Sequence, residues 1–191
     1  MCKILGKVCI LLGIVCIICS AGFVVYNHFE SKNAEKNTEL LLQNAKSAIQ
    51  EQNTEQYDTK MKTVKVNGYD CIGILSIPVV DLELPILTDW SYAKLRKAPC
   101  LYYGSYYEKD FVIAAHNYKT HFGRLAGLKK DDVIIFTDVG GTEYCYKVVL
   151  LETLPPNATT QMITSGFDLS LYTCTVGGGS RVTVRCNLIK D

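Results

Sequence analysis

Among 191 residues there are only three histidines, five prolines and one tryptophan, and no internal repeat is visible. Excess charge of either sign is also missing: 20 basic side chains stand against 19 acidic ones, for a net charge of +1. A chain without a basic surplus has no electrostatic footprint for a phosphate backbone, so nucleic-acid binding is set aside. Beyond residue 30 there is no close pair of cysteines. The usual ligand spacing of a zinc site is therefore absent, which disfavours a site made from His116, His121, Cys174 and a second cysteine. No cofactor is implied.

What the sequence does have begins with an apolar run, residues 8–26, and no charged side chain lies between Lys7 and Glu30. At about 1.5 Å per residue, roughly 20 such residues match the ~30 Å hydrocarbon core of a bilayer. Cys19-Ser20-Ala21 offers small residues for signal cleavage, but secretory apolar regions are usually about 7–15 residues long, so a retained signal anchor is the expectation. Lys3 and Lys7 precede the run and a mixed-charge segment follows it. The positive-inside rule then leaves residues 1–7 in the cytoplasm, residues 8–27 across the cell membrane as a single pass, and the remainder outside the cell. Cys2, Cys9, Cys16 and Cys19 fall in or beside this run, where small apolar filling or acylation explains them better than redox chemistry. No second hydrophobic span follows Leu188.

Residues 28–67 read as a juxtamembrane stalk or helix, rich in Glu, Lys, Asn and Gln, with Leu40, Leu41, Ala45, Ala48 and Ile49 near a helical period. At Gly68 the character changes to short apolar or alternating runs broken by Gly, Pro, Asp and Asn. Residues 68–191 are accordingly read as a mainly β domain with eight strands, at 71–77, 82–87, 101–103, 111–115, 133–137, 142–152, 168–174 and 181–188. Eight strands suffice to close a small barrel. Single helical turns are expected at 92–96 and 124–128, and a hairpin turn at Gly140-Gly141. The longest connection, 153–167, contains Pro155-Pro156; long loops on a β scaffold tend to move or to bind. The tyrosines Tyr102, Tyr103, Tyr106 and Tyr107 are expected to cover the barrel surface.

Five cysteines lie in the outer domain, Cys71, Cys100, Cys145, Cys174 and Cys186, and an odd number outside the cell leaves at least one thiol without an intrachain disulfide. Cys174 ends an apolar strand, and His116 follows another, Phe111-Val112-Ile113-Ala114-Ala115. Two strand ends can meet on one rim although 58 residues separate them in the chain. A cysteine becomes an effective nucleophile when a nearby cation stabilises its thiolate, and His116 and Arg181 could both supply that charge. Arginine keeps its proton and presents a rigid fork of donors, suited to a developing oxyanion. His121 and Arg185 are the rivals for these places; His121 lacks the strand-end position, and Arg185, on the same strand face as Arg181, reads equally as half of an ion pair on the barrel wall.

The residues also carry a resemblance. Ser170-Leu171-Tyr172-Thr173-Cys174 with Arg181 resembles the Thr-Leu-x-Thr-Cys and downstream Arg signature of sortases, the membrane-anchored cysteine transpeptidases of Gram-positive surfaces. Ile72-Gly73-Ile74-Leu75-Ser76-Ile77-Pro78 and Leu84-Pro85-Ile86 resemble the opening strands of that family, and Ala115-His116-Asn117 with Phe122-Gly123-Arg124-Leu125 its histidine block. About residues 70–188 are covered, in order. Ser170 and Ala115 depart from the family's usual Thr and Gly without touching the reactive groups. The segment between the sixth and seventh strands is short, unlike the long helical insertion of class B enzymes, although His116-Asn117 resembles class B; the lack of a second span and of an aspartate-proline lid disfavours class C, so the resemblance is to class D or class B-like enzymes.

This resemblance implies an eight-stranded barrel with Cys174 as nucleophile, His116 as acid and base, and Arg181 as stabiliser of the transition state. Its implied reaction is cleavage of a Leu-Pro-x-Thr-Gly-like sorting signal on surface proteins through a thioacyl intermediate, followed by transfer to an amine of a peptidoglycan precursor. The connection 153–167 is then the expected substrate wall. A catalytically silent, membrane-tethered β-barrel that binds surface proteins or wall polymer is the competing class; such a module has no need of all three residues together.

Overall fold

The computed structural model describes residues 2–51 and 61–190. Among the described residues a long helix, α1 (Cys2–Glu51), is followed by nine strands: β1 (Val64–Val66), β2 (Tyr69–Ile77), β3 (Leu82–Leu87), β4 (Cys100–Tyr103), β5 (Phe111–Ala114), β6 (Val133–Asp138), β7 (Glu143–Leu154), β8 (Leu169–Cys174) and β9 (Arg181–Leu188). Short helices interrupt them, α2 (Tyr92–Leu95), α3 (Thr159–Ile163) and two 3₁₀ turns, Pro78–Val80 and Phe122–Gly127. Two compact units divide at Asn33 and Ala34.

The first unit is the front of α1. Its apolar side chains, Ile10, Leu11, Leu12, Phe23 and Val24 among them, are exposed, and by length and composition the helix can cross a membrane.

In the second unit the strands run β1-β2-β3-β4-β5-β8-β9-β7-β6, and β6 pairs back onto β2, closing eight strands, β2 to β9, into a barrel. Most neighbours are antiparallel; β3–β4 and β5–β8 are parallel. Closure crowds Gly73, which sits at a bulge of β2 with φ of 155°; a Cβ there would collide with the backbone oxygen of Thr137 on β6. Only glycine permits that approach.

Alternation decides which side chains fill the barrel. Phe111 and Ile113 of β5, Phe136 of β6, Leu169 and Leu171 of β8 and Val184 of β9 are fully buried in one cluster. Each is worth about 1.5–3 kcal/mol relative to exposure. Tyr106 joins this cluster, its ring 5.9 Å from Phe111 and 5.1 Å from Phe136, so of the four tyrosines expected on the surface this one is a core residue. The rings of Tyr103 and Tyr107 are exposed.

From residue 34 onward α1 packs on the outside of the barrel. Ala34, Thr38, Leu41, Ala45 and Ile49 form its buried stripe, spaced by three or four residues, and Leu41, Ala45 and Ile49 share a cluster with Val64, Val66, Ile74, Leu87 and Val139. Leu40, expected in the apolar stripe, points to solvent instead, because it lies one position, about 100°, from that face.

The expected strands are all present, with ends displaced by no more than two residues. Sequence reading missed β1, three residues before Gly68 that pair with β2, and it missed α3 inside the connection 153–167. Both are too short to show a period of their own.

Candidate active site

On β5, Phe111 and Ile113 face the interior, so Val112 and Ala114 face outward; on β8 the outward residues are Ser170, Tyr172 and Cys174. Both faces of β5 are covered, which is why it reads as a continuous apolar run rather than an alternating one. Parallel pairing sets Ala114 beside Tyr172. Ala115 N donates to Tyr172 O at 3.2 Å and Thr173 Oγ1 donates to Ala115 O at 2.9 Å, carrying the register past the end of β5. The next residues of the two chains are His116 and Cys174. On the other side of β8, antiparallel β9 places Arg181 directly opposite Cys174.

The three sequence-predicted residues therefore stand at one end of three adjacent strands, and all three line one groove of about 180 Å³. Each is half-buried, reachable from solvent yet partly screened from it. Tyr172 and Ala114 form the floor; Pro155, Pro156, Ala158, Thr159 and Met162 form one wall, and Trp90, Tyr92, Leu95 and Tyr102 contribute a second. The aromatic residues touch in series: Tyr92 to Trp90 at 5.8 Å, Trp90 to Tyr102 at 5.7 Å, Tyr102 to Tyr172 at 5.3 Å. Sequence reading did not single out Trp90 or Tyr92, and placed Tyr102 on the outer surface. No local signal could have found them, since the groove exists only once β4, β5 and β8 are side by side.

A tight turn holds His116. Its carbonyl accepts from Phe122 N at 3.1 Å, while Tyr118 O accepts from both His121 N and Gly123 N at 2.9 Å. Gly123 packs so closely under the turn that a Cβ would lie 2.5 Å from Asn117 O and 2.7 Å from Tyr118 O. The ring of Tyr118 leans on His116 at 4.9 Å and on His121 at 5.4 Å.

His121 is fully buried, away from the groove, with Nε2 2.8 Å from Thr38 Oγ1. Burial first, then the neighbouring His116, pushes it down from its usual value near 6.5 to about 4, so at neutral pH it is an uncharged structural residue. Arg181 donates through Nη1 to Gly178 O and Ser180 O, both at 3.1 Å, which folds the β8–β9 turn around its guanidinium. Arg185 is 2% exposed and donates through Nε to Glu152 Oε1 at 2.7 Å, an ion pair on the barrel wall.

The described cysteines, from Cys9 to Cys186, are free thiols. Burial pushes the thiols of Cys71, Cys100 and Cys186 up, to about 11, 12 and 12. None of those three lines the groove; Cys174 does.

The comparisons with known proteins agree with the barrel fold. The family model described as the sortase domain matches residues 75–189. Among solved structures, the chain is similar to the Clostridium perfringens sortase D5 transpeptidase, with a TM-score of 0.60 and 18% identity over 83% of this chain and 99% of that one. It is similar to C. perfringens sortase C with a C-terminal cell wall sorting motif, at 0.58 and 20% identity over 93% and 100%. Corynebacterium diphtheriae sortase A matches at 0.58 and 18% identity over 89% and 96%. No curated protein sequence matches. The structures share the barrel irrespective of the sortase class they are named for, and the family model spans more than half of the chain. By that match, the chain belongs to the sortase family.

Proposed function

We propose that this protein is a membrane-tethered cysteine transpeptidase acting outside the cell, which cleaves a C-terminal sorting signal of surface proteins and joins them to an amine of a peptidoglycan precursor. The observation that carries this reading is the convergence of His116, Cys174 and Arg181 on one groove from the ends of β5, β8 and β9. That a similar C. perfringens sortase C was solved with a C-terminal cell wall sorting motif supports the substrate class. Class D or class B-like remains the class proposed, on the sequence features given above.

In the proposed cycle an extended peptide lies in the groove and the Cys174 thiolate attacks a backbone carbonyl, with His116 holding the thiol's proton. A C–S bond forms and the carbonyl oxygen gains negative charge, which the Arg181 fork stabilises. As the C–N bond breaks, His116 gives its proton to the departing amine, leaving a thioacyl enzyme. An incoming amine then attacks the thioester, loses its proton to His116, and the C–S bond breaks as the new amide forms. The apolar front of α1, with Lys3 and Lys7 ahead of it, would hold the barrel at the outer membrane face, where both substrates arrive, raising their effective concentration.

Intact mass spectrometry of the detergent-solubilised chain, mixed with pooled sorting-type peptides and then with amine acceptors, tests this. The expected result is a peptide-sized adduct on Cys174 that an amine discharges and that Cys174→Ala lacks. A thiol at Cys174 that resists alkylation and forms no adduct with any peptide would replace the enzyme with the silent binding barrel.

A further inference from the structure

Arg185 heads the fully buried side chains by volume, and its charge is distributed over an unusual set of partners. Besides Glu152 of β7, it donates through Nη1 to Ser170 Oγ of β8 at 2.8 Å and to Met162 O at 3.4 Å, and through Nη2 to Gln161 O at 2.8 Å. Its guanidinium carbon lies 5.8 Å from the ring centroid of Phe167. Gln161 and Met162 belong to the last turn of α3, where carbonyls have no partner within the helix. Arg185 supplies those missing donors. One guanidinium thus ties three barrel strands, β7, β8 and β9, to the segment that makes one wall of the groove.

A second anchor holds the far end of the same excursion. Asp110 Oδ1 accepts from Ser165 N at 2.7 Å, Ser165 Oγ at 2.8 Å and Gly166 N at 2.9 Å. The bonds of Ala158 N to Pro155 O and of Thr159 N to Asn157 O, by contrast, stay within the excursion. The wall residues Ala158, Thr159 and Met162 therefore owe their placement to α3, which is held on the barrel by the packing of Met162 with Val112 of β5 and Leu154 of β7 and, at its carbonyl end, by Arg185. A buried ion pair is weak evidence for stability, because desolvating the charges offsets their attraction. Its consequence here is geometric, fixing a short helix that could not stay folded alone.

We propose that Arg185 is a positioning residue: it holds α3 rigidly as the wall against which the extended peptide is aligned on Cys174, and so governs peptide binding without touching the reacting atoms. For its substrate this rests on the transpeptidase reading; the clamp itself does not. Lysine at 185 keeps the charge but lacks the planar fork needed to serve Glu152, Ser170 and the α3 carbonyls together.

The test compares Arg185→Lys and the milder Ser170→Ala with the wild type, in the full chain in detergent. Amide hydrogen exchange over 158–164 is read without substrate, and KM and kcat are read with the peptide pool. Arg185→Lys should speed exchange over 158–164 at least about tenfold while β5 and β8 stay protected. It should raise KM about tenfold with kcat within about twofold, and Ser170→Ala should raise KM about threefold. Unchanged exchange at 158–164, or a kcat loss at constant KM, would overturn the proposal. A wild type that turns over no peptide sinks the transpeptidase reading instead, and the exchange result then still decides whether the clamp exists. Should Arg185→Lys fail to fold, Ser170→Ala alone decides by the same two readouts.

Discussion

Thr38 Oγ1 of α1 lies 2.8 Å from Nε2 of His121, in the turn that carries His116, with both residues buried and the Lys97 carbonyl 2.7 Å away. The threonine hydroxyl, Ala34 O and Lys97 O make one small polar knot inside an otherwise apolar contact. It joins the helix that follows the apolar run to the histidine turn of the barrel.

An acid-sensitive stability follows. His121 is held near 4 when folded and returns to its usual value near 6.5 when unfolded, so below pH 6.5 the unfolded chain binds the extra proton. Stability is full above about pH 6.5, falls as pH drops towards 4, and the loss attributable to this group reaches roughly 3 kcal/mol. Denaturant unfolding at pH 7 and pH 4 should show that difference shrinking in His121→Gln, which keeps a partner for Thr38 but does not titrate.

Removing the other half of the knot should cost stability at every pH. Thr38→Val preserves shape but leaves Lys97 O without its hydroxyl donor and His121 Nε2 without a partner, a loss of about 1–3 kcal/mol. Thermal unfolding of the variant beside the wild type measures it; an unchanged Tm would mean that water replaces the hydroxyl.

Thiol labelling should separate the cysteines by location. Cys71, Cys100 and Cys186 are buried and their thiols pushed well above the usual range, so iodoacetamide at pH 7.5 should leave them unmodified while Cys174 in the groove reacts. Peptide mapping after brief labelling reads this directly. Preferential labelling of Cys186 over Cys174 would contradict the burial pattern.

The two arginines of β9 should fail in different ways. Arg181→Ala removes the donor opposite Cys174 and should lower kcat about 10²- to 10³-fold, the scale for losing an oxyanion donor, with a small effect on folding. Single-turnover measurement of thioacyl formation isolates that step; a loss in KM alone would move Arg181 from the chemistry to substrate binding.

Gly123→Ala tests the turn under His116. The added Cβ would meet two backbone oxygens, Asn117 O and Tyr118 O, neither of which can move without shifting the turn. Thioacyl formation should drop at least about tenfold while the barrel still unfolds cooperatively, since a misplacement of about 1 Å can cost about 10²-fold.

Much of this was already written in the residue pattern. A charge-free run of helical length and period-2 alternation broken by turn residues are local signals, because periodicity and backbone preference act over a few neighbouring residues, and the Ser170 to Cys174 stretch with Arg181 carries a resemblance to the sortase signature. The local signals were enough to specify a membrane-length helix and the eight barrel strands, and the resemblance named the three residues of the groove. Tertiary structure alone decided what lies around them. The parallel pairing of β5 with β8, 58 residues apart, makes His116 and Cys174 neighbours. The apolar stripe from Ala34 to Ile49 finds the barrel through Thr38, a polar residue that apolar periodicity passes over. Trp90 joins Tyr102 and Tyr172 across three separate segments, and Arg185, the rival of Arg181 on the same strand face, is set apart by burial beside Glu152 and α3. Long-range contacts of this kind depend on which strands close the barrel, and no window of sequence contains that choice.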